Sequence, residues 1–143
     1  MGDSFLDIRK WLDERKLIGI KLGLKNCEIM LQRLNNPHLE FPSIHVAGTN
    51  GKGSLCVQLS SIACANNLKV GLFTSPHLIT IEERIRINGI PISPDDFDMF
   101  LNSIRDASLI PPVCNPTFFE VTFLLAMLAF REIEIARAIL DTG

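Results

Sequence analysis

Apolar positions in the first part of the chain recur at helical spacing. Phe5, Ile8, Trp11 and Leu12 form one stripe, and Ile29, Met30, Leu31 and Leu34 form another, each matching the period that lets a helix bury one face. A stretch at 19–23 bounded by Gly19 and Gly23 divides them. Pro37 and Pro42 then close off helix, because proline lacks the N–H that a helix interior needs. Residues 43–47 predict a short buried strand that runs straight into a glycine-rich turn. Helical spacing returns over 54–67, with Leu55, Leu59, Ile62 and Ala63 on one face and Asn66-Asn67 as its stop. Residues 69–74 predict a second apolar strand.

Strand, glycine turn, helix and strand in that order make a βαβ unit, which calls for a parallel sheet. A different texture follows. Arg84-Ile85-Arg86-Ile87-Asn88-Gly89-Ile90-Pro91-Ile92 alternates at period two around Asn-Gly, the pair that a two-residue hairpin turn prefers, and Pro91 confines the second strand to an edge. Ser93, Pro94, Asp95 and Asp96 put a cap, a proline and two acids where a helix begins, and that helix is expected to reach about residue 108. Pro111, Pro112 and Pro116 mark a loop. A nearly all-apolar helix from 117 to about 132 and a third buried strand at 135–140 complete the pattern. The chain stops at Asp141-Thr142-Gly143, where a doubly wound fold would begin its next loop and helix, so a truncated domain is expected.

Composition narrows the classes. The 143 residues, 47% of them hydrophobic, suffice for one domain. A net charge of -2 from 14 basic and 16 acidic residues gives no broad attraction for nucleic acid or an anionic membrane. The longest apolar run, 121–130, is half of the roughly 20 residues that a span requires, and the N-terminus lacks the apolar stretch of a secretory signal. The expectation is a cytoplasmic protein with no membrane or nucleic-acid partner. Cys27, Cys56, Cys64 and Cys114 include no C-x-x-C pair, and they read as reduced, core-filling thiols rather than zinc ligands.

Gly48-Thr49-Asn50-Gly51-Lys52-Gly53-Ser54 sits between a predicted strand and a predicted helix. Glycines there allow the backbone N–H groups to close on a phosphate, the helix N-terminus adds a positive dipole end, and Lys52 adds a point charge. The general phosphate-loop pattern is not met literally, since Val46 stands six before Lys52 and Gly53 separates Lys52 from Ser54. The fold class expected is therefore α/β: a three-layer, P-loop-type domain over 1–143 with a mainly parallel sheet flanked by helices, truncated, and carrying a small hairpin at about 84–92.

His45-Val46-Ala47 and the loop through Ser54 resemble the nucleotide loop of the Mur ligase superfamily, and Gly53-Ser54 is similar to its folate branch, the folylpolyglutamate and dihydrofolate synthases. Phe73-Thr74-Ser75-Pro76-His77-Leu78, the following Glu83-Arg84-Ile85-Arg86-Ile87-Asn88-Gly89, and Pro116-Thr117-Phe118-Phe119-Glu120 are similar to further blocks of that family in the same order. Trp11-Leu12 and Lys21-Leu22-Gly23-Leu24 fit its opening helices. The strand end Asp141-Thr142-Gly143 departs from the Glu-Val-Gly usual there.

The resemblance implies that Gly48, Thr49, Asn50, Gly51, Lys52, Gly53 and Ser54 bind ATP, with Lys52 catalytic, and that Ser75 and Glu120 help to hold Mg2+. It places Ser75, Pro76, His77 and Arg84 near a folate or dihydropteroate substrate. The implied reaction transfers the γ-phosphoryl group to the substrate carboxylate, after which the amine of L-glutamate displaces phosphate from the acyl phosphate. Local alternatives stay open. Pro76 would start a turn regardless of function, Thr117-x-x-Glu120 is also a capping box, Arg84 and Arg86 would serve as solvated edge-strand charges, and His45 reads as a packing or loop-ordering residue. Other readings are another Mur-type amino-acid ligase, a simple P-loop kinase or NTPase, and a non-catalytic nucleotide-binding remnant. The isolated 143 residues are expected to have little ligase activity and to self-associate through an exposed sheet edge.

Overall fold

The stripe through Ile8, Trp11 and Leu12 forms helix α1 (Gly2–Glu14), with Ile8 and Leu12 buried. The computed structural model describes residues 2–19, 25–46 and 67–141; the phosphate-loop motif and all but the last residue of the helix expected over 54–67 lie outside them. Helix α2 (Lys25–Arg33) buries Met30 and Leu31, with Leu34 just beyond its end. Its stop comes one step before the proline expected to make it. Asn35 and Asn36 take φ of 66° and 50°, and the Asn36 N–H donates to the Leu31 carbonyl at 2.7 Å, a left-handed wrap that satisfies a carbonyl the helix end leaves unpaired. Helix α3 (Pro94–Ser108) carries Asp95 and Asp96 in its first turn, and helix α4 (Phe118–Ile133) is the predicted apolar one. Among the described residues, no helix is long and apolar enough to cross a membrane.

The chain divides into two compact units, 1–38 with 95–128 and 39–94 with 129–143. In the first, Phe97, Leu101 and Ile104 of α3 and Val121, Leu124 and Leu125 of α4 are buried. Arg9 donates through Nε to Asp98 Oδ1 at 2.6 Å, and its guanidinium lies 4.5 Å from the centre of the Phe97 ring. Arg33 donates to the Ala107 carbonyl at 2.9 Å and the Pro112 carbonyl at 2.6 Å, a cation at the end of α3 where the helix dipole favours one.

Among the described residues, the second unit is built on a sheet of five strands in the order β1-β5-β2-β3-β4. The strands are β1 (Ser43–Val46), β2 (Val70–Thr74), β3 (Ile85–Ile87), β4 (Ile90–Pro91) and β5 (Arg137–Asp141). β5 pairs parallel with both β1 and β2, while β3 runs antiparallel to β2 and β4 antiparallel to β3. The first two strands of the expected βαβ unit are thus separated by the last strand. Val46, Val70, Leu72 and Ile139 pack together from these three strands.

β1 corrects the expectation of a buried strand. Only Val46 is buried, and Ser43, Ile44 and His45 are exposed, because among the described residues β1 has one sheet neighbour, β5. The hairpin matches its prediction: Asn88 and Gly89 take φ of 50° and 83°, the two positive values that a tight right-twisting turn requires, and Pro91 sits on the edge strand. Asn88 also ties the turn to β2, since the Val70 N–H donates to its Oδ1 at 2.9 Å.

Candidate functional site

Three chain segments leave the sheet at one end. Val46 of β1, Asp141 of β5 and Thr74 of β2 are in register across the parallel strands. In the sequence the Gly48 to Ser54 motif follows Val46, and Ser75-Pro76-His77 follows Thr74. Ligands of open α/β sheets bind outside these carboxyl ends. Asp141, read from sequence only as a departure at the strand end, is 94% buried at this place, 6% of its surface remaining exposed. The carboxylate that follows the apolar run Ala138-Ile139-Leu140 is the signal that could have found it. A cleft of about 370 Å³ lined by Glu40, Phe41, Phe130, Arg131, Glu134 and Ile135 lies instead before the amino end of β5, away from these segments.

The segment from Ser75 to Arg84 is fixed by its own polar groups. Ser75 and His77 are half-buried. Arg84, last residue of the 3-10 turn Ile81–Arg84, is buried and donates through Nε to His77 Nδ1 at 2.8 Å. Burial pushes the Arg84 pKa down. Arg84 is therefore no solvated edge-strand charge, while Arg86, on β3, is half-buried. Glu83 accepts from the N–H groups of Leu78 at 3.0 Å, Ile79 at 3.2 Å and Thr80 at 3.0 Å. Those bonds, led by that of Thr80, hold the Glu83 carboxyl below its ordinary pKa. They also hold Leu78 and Ile79 out to solvent. Thr80-x-x-Glu83 is a capping pattern that went unread in the sequence because no apolar helical run follows it.

In the first unit the Thr117 N–H donates to Glu120 Oε1 at 2.8 Å, and the Glu120 N–H donates to Thr117 Oγ1 at 3.1 Å. The capping box expected as an alternative for Glu120 is formed. Cys27, half-buried nearby in sequence to Glu28, has a thiol pKa pushed up to about 11 by burial first and then by Glu120, Glu28 and Cys114. His45 is exposed on β1 rather than packed in the core. Among the described residues no group of three His, Cys, Asp or Glu side chains is arranged to hold a metal by itself.

No family model matches the chain. Individual relatives do. The chain is 36% identical over 147 aligned residues to the dihydrofolate synthase/folylpolyglutamate synthase of Bacillus subtilis, covering 100% of this chain and 34% of that protein. Its fold superposes on folylpolyglutamate synthase from Thermotoga maritima with a TM-score of 0.88 at 34% identity, covering 99% of this chain and 34% of the other. It superposes on the bifunctional folylpolyglutamate synthase/dihydrofolate synthase of Yersinia pestis, solved with AMPPNP and a Mn ion, with a TM-score of 0.84 at 31% identity, covering 95% and 33%. The chain thus spans about a third of the length of the relatives it matches.

Proposed function

We propose, since this chain belongs to the family of folylpolyglutamate and dihydrofolate synthases, that it forms the nucleotide-loop portion of an ATP-dependent ligase joining L-glutamate to a folate or dihydropteroate carboxylate. The observation that carries this is that Val46, Thr74 and Asp141 stand level at the carboxyl ends of β1, β2 and β5, with the Gly48 to Ser54 motif following β1 and Ser75-Pro76-His77 following β2 in the sequence. A phosphate-binding motif and oxygen donors that follow adjacent strand ends are the combination phosphoryl transfer uses. The relatives favour the folate reading over a cell-wall ligase or a non-catalytic remnant.

In this reading Gly48, Thr49, Asn50, Gly51, Gly53 and Ser54 enclose the phosphates with backbone N–H groups, and Lys52 offsets the charge that develops on the transferred phosphoryl group. Ser75 and Asp141 offer a hydroxyl and a carboxylate, hard oxygen donors of the kind that suits Mg2+. A bound divalent ion would neutralise phosphate charge. Ser75, Pro76 and His77 line the acceptor side, where holding a carboxylate in line with the γ-phosphorus is the main catalytic task. Glu120 spends Oε1 on its cap, and any role toward the ion rests on its second oxygen.

Paired substitutions separate the two roles of Glu120. Gln preserves a capping box, so Glu120→Gln is expected to keep thermal stability and to weaken divalent-ion-dependent nucleotide binding in calorimetry. Thr117→Ala is expected to cost about 1 kcal/mol of stability and to leave that binding in place. Unchanged nucleotide and ion affinity in Glu120→Gln would restrict Glu120 to the cap. Absence of nucleotide binding, in a full-length protein that carries this segment and is properly folded, would contradict the proposal itself.

A further inference from the structure

We infer that Arg84 is a positioning residue whose guanidinium fixes His77 so that the imidazole offers Nε2–H, as a donor, to an anionic oxygen of the ligand held at the carboxyl ends of the parallel strands. This deepens the proposed function and rests on it for the ligand's location. The chemistry of the contact is one-directional. Arginine Nε carries a hydrogen and no acceptor lone pair, so the 2.8 Å contact from Arg84 Nε obliges His77 Nδ1 to accept. A neutral imidazole that accepts at Nδ1 bears its hydrogen on Nε2, and that nitrogen can then only donate.

The surrounding segment keeps this pair in place. β2 and β3 close the segment at the register pair Phe73 and Ile85, and Glu83 fastens the backbone at Leu78, Ile79 and Thr80. Arg84 is 92% buried, 8% remaining exposed, and a charged group so enclosed needs hydrogen-bonded partners to offset lost hydration. His77 is half-buried and follows Ser75 directly after Pro76, so it is the less enclosed member of the pair. In this inference Arg84, which the resemblance assigns to substrate binding, acts through His77. A fixed N–H donor favours a carboxylate or phosphoryl oxygen, and either could come from the acceptor substrate or from the nucleotide.

The test begins with the unaltered chain. Side-chain 1H–15N correlation of labelled histidine at about pH 8, above the ordinary histidine pKa of about 6.5, is expected to show His77 as a single Nε2–H tautomer. Arg84→Met is expected to release it to a mixture of both. A Nδ1–H tautomer in the unaltered chain would overturn the inference without any variant having to fold. In the full-length protein, Gln at position 77 keeps an N–H near the Nε2 position and Asn does not. His77→Asn is expected to lose about tenfold more kcat/KM than His77→Gln, the scale of one charge-assisted hydrogen bond. A rise confined to KM for the pterin acceptor identifies its carboxylate as the partner, and a rise confined to KM for ATP identifies a phosphate. Equal losses in the two variants would overturn the inference. A full-length protein that makes no glutamate product would instead sink the proposed function and leave the tautomer result standing.

Discussion

Gly71 on β2 shows what a single position can demand. A Cβ built there would lie 2.5 Å from Cε1 of Phe130, whose ring also meets Phe41 edge-on with centroids 5.9 Å apart. Gly71→Ala therefore forces a packed aromatic ring to move, and overpacking of this kind costs about 1–3 kcal/mol. The expected outcome is a lowered unfolding midpoint that Phe130→Leu in the same chain partly restores. Full stability of Gly71→Ala alone would contradict the close approach. The sequence shows a glycine in an apolar strand, a mark of close approach, but its partner is distant in the chain and was not legible. Cys27 gives a second test at this scale. With its pKa pushed up to about 11, roughly one thiol in a thousand is ionised at about pH 8. Iodoacetamide is expected to label Cys27 far more slowly than free cysteine, as read by peptide mass mapping, and labelling at the free rate would contradict the burial.

At the scale of elements, legibility followed locality. The Asn88-Gly89 turn and the start of α3 at Pro94 are legible in the sequence because each is written within a few residues, and the Thr117–Glu120 box, offered there as the alternative to a metal role, is as local. The end of α2 was assigned to Pro37 when Asn35 and Asn36 make it, since two consecutive asparagines tolerate the left-handed region that ends a helix. β1 is predicted buried because its apolar residues say nothing of strand order, and among the described residues that order leaves it one neighbour. The Glu83 clamp carries a pH dependence. Its folded pKa lies below the unfolded glutamate value of about 4.3. The contribution to stability is thus fully present above that value and lost as pH falls through the folded one. The amide shifts of Leu78, Ile79 and Thr80 are expected to titrate together with a midpoint below that of ordinary glutamate. They should not titrate in Glu83→Gln. A shared midpoint at or above the ordinary value would contradict the clamp.

For the whole molecule, the family was legible because its blocks are contiguous strings in fixed order: the loop around Lys52, Ser75-Pro76-His77, the Asn-Gly hairpin and Thr117-x-x-Glu120. The α/β class was legible too, through alternating helical and apolar segments. What needed the structure was everything set by strand order. β5 inserts between β1 and β2, and this brings Asp141 level with Val46 and Thr74. The buried place of Arg84 behind His77 likewise depends on how β3 joins β2.

The most direct measurement is ATP-dependent incorporation of labelled glutamate into dihydropteroate and into tetrahydrofolate by the full-length protein that carries this segment, beside its Lys52→Ala variant. Glutamate product from at least one acceptor, abolished in the variant while the protein stays folded, is the predicted result. Binding of ATP with product from neither acceptor, or product undiminished in Lys52→Ala, would contradict it.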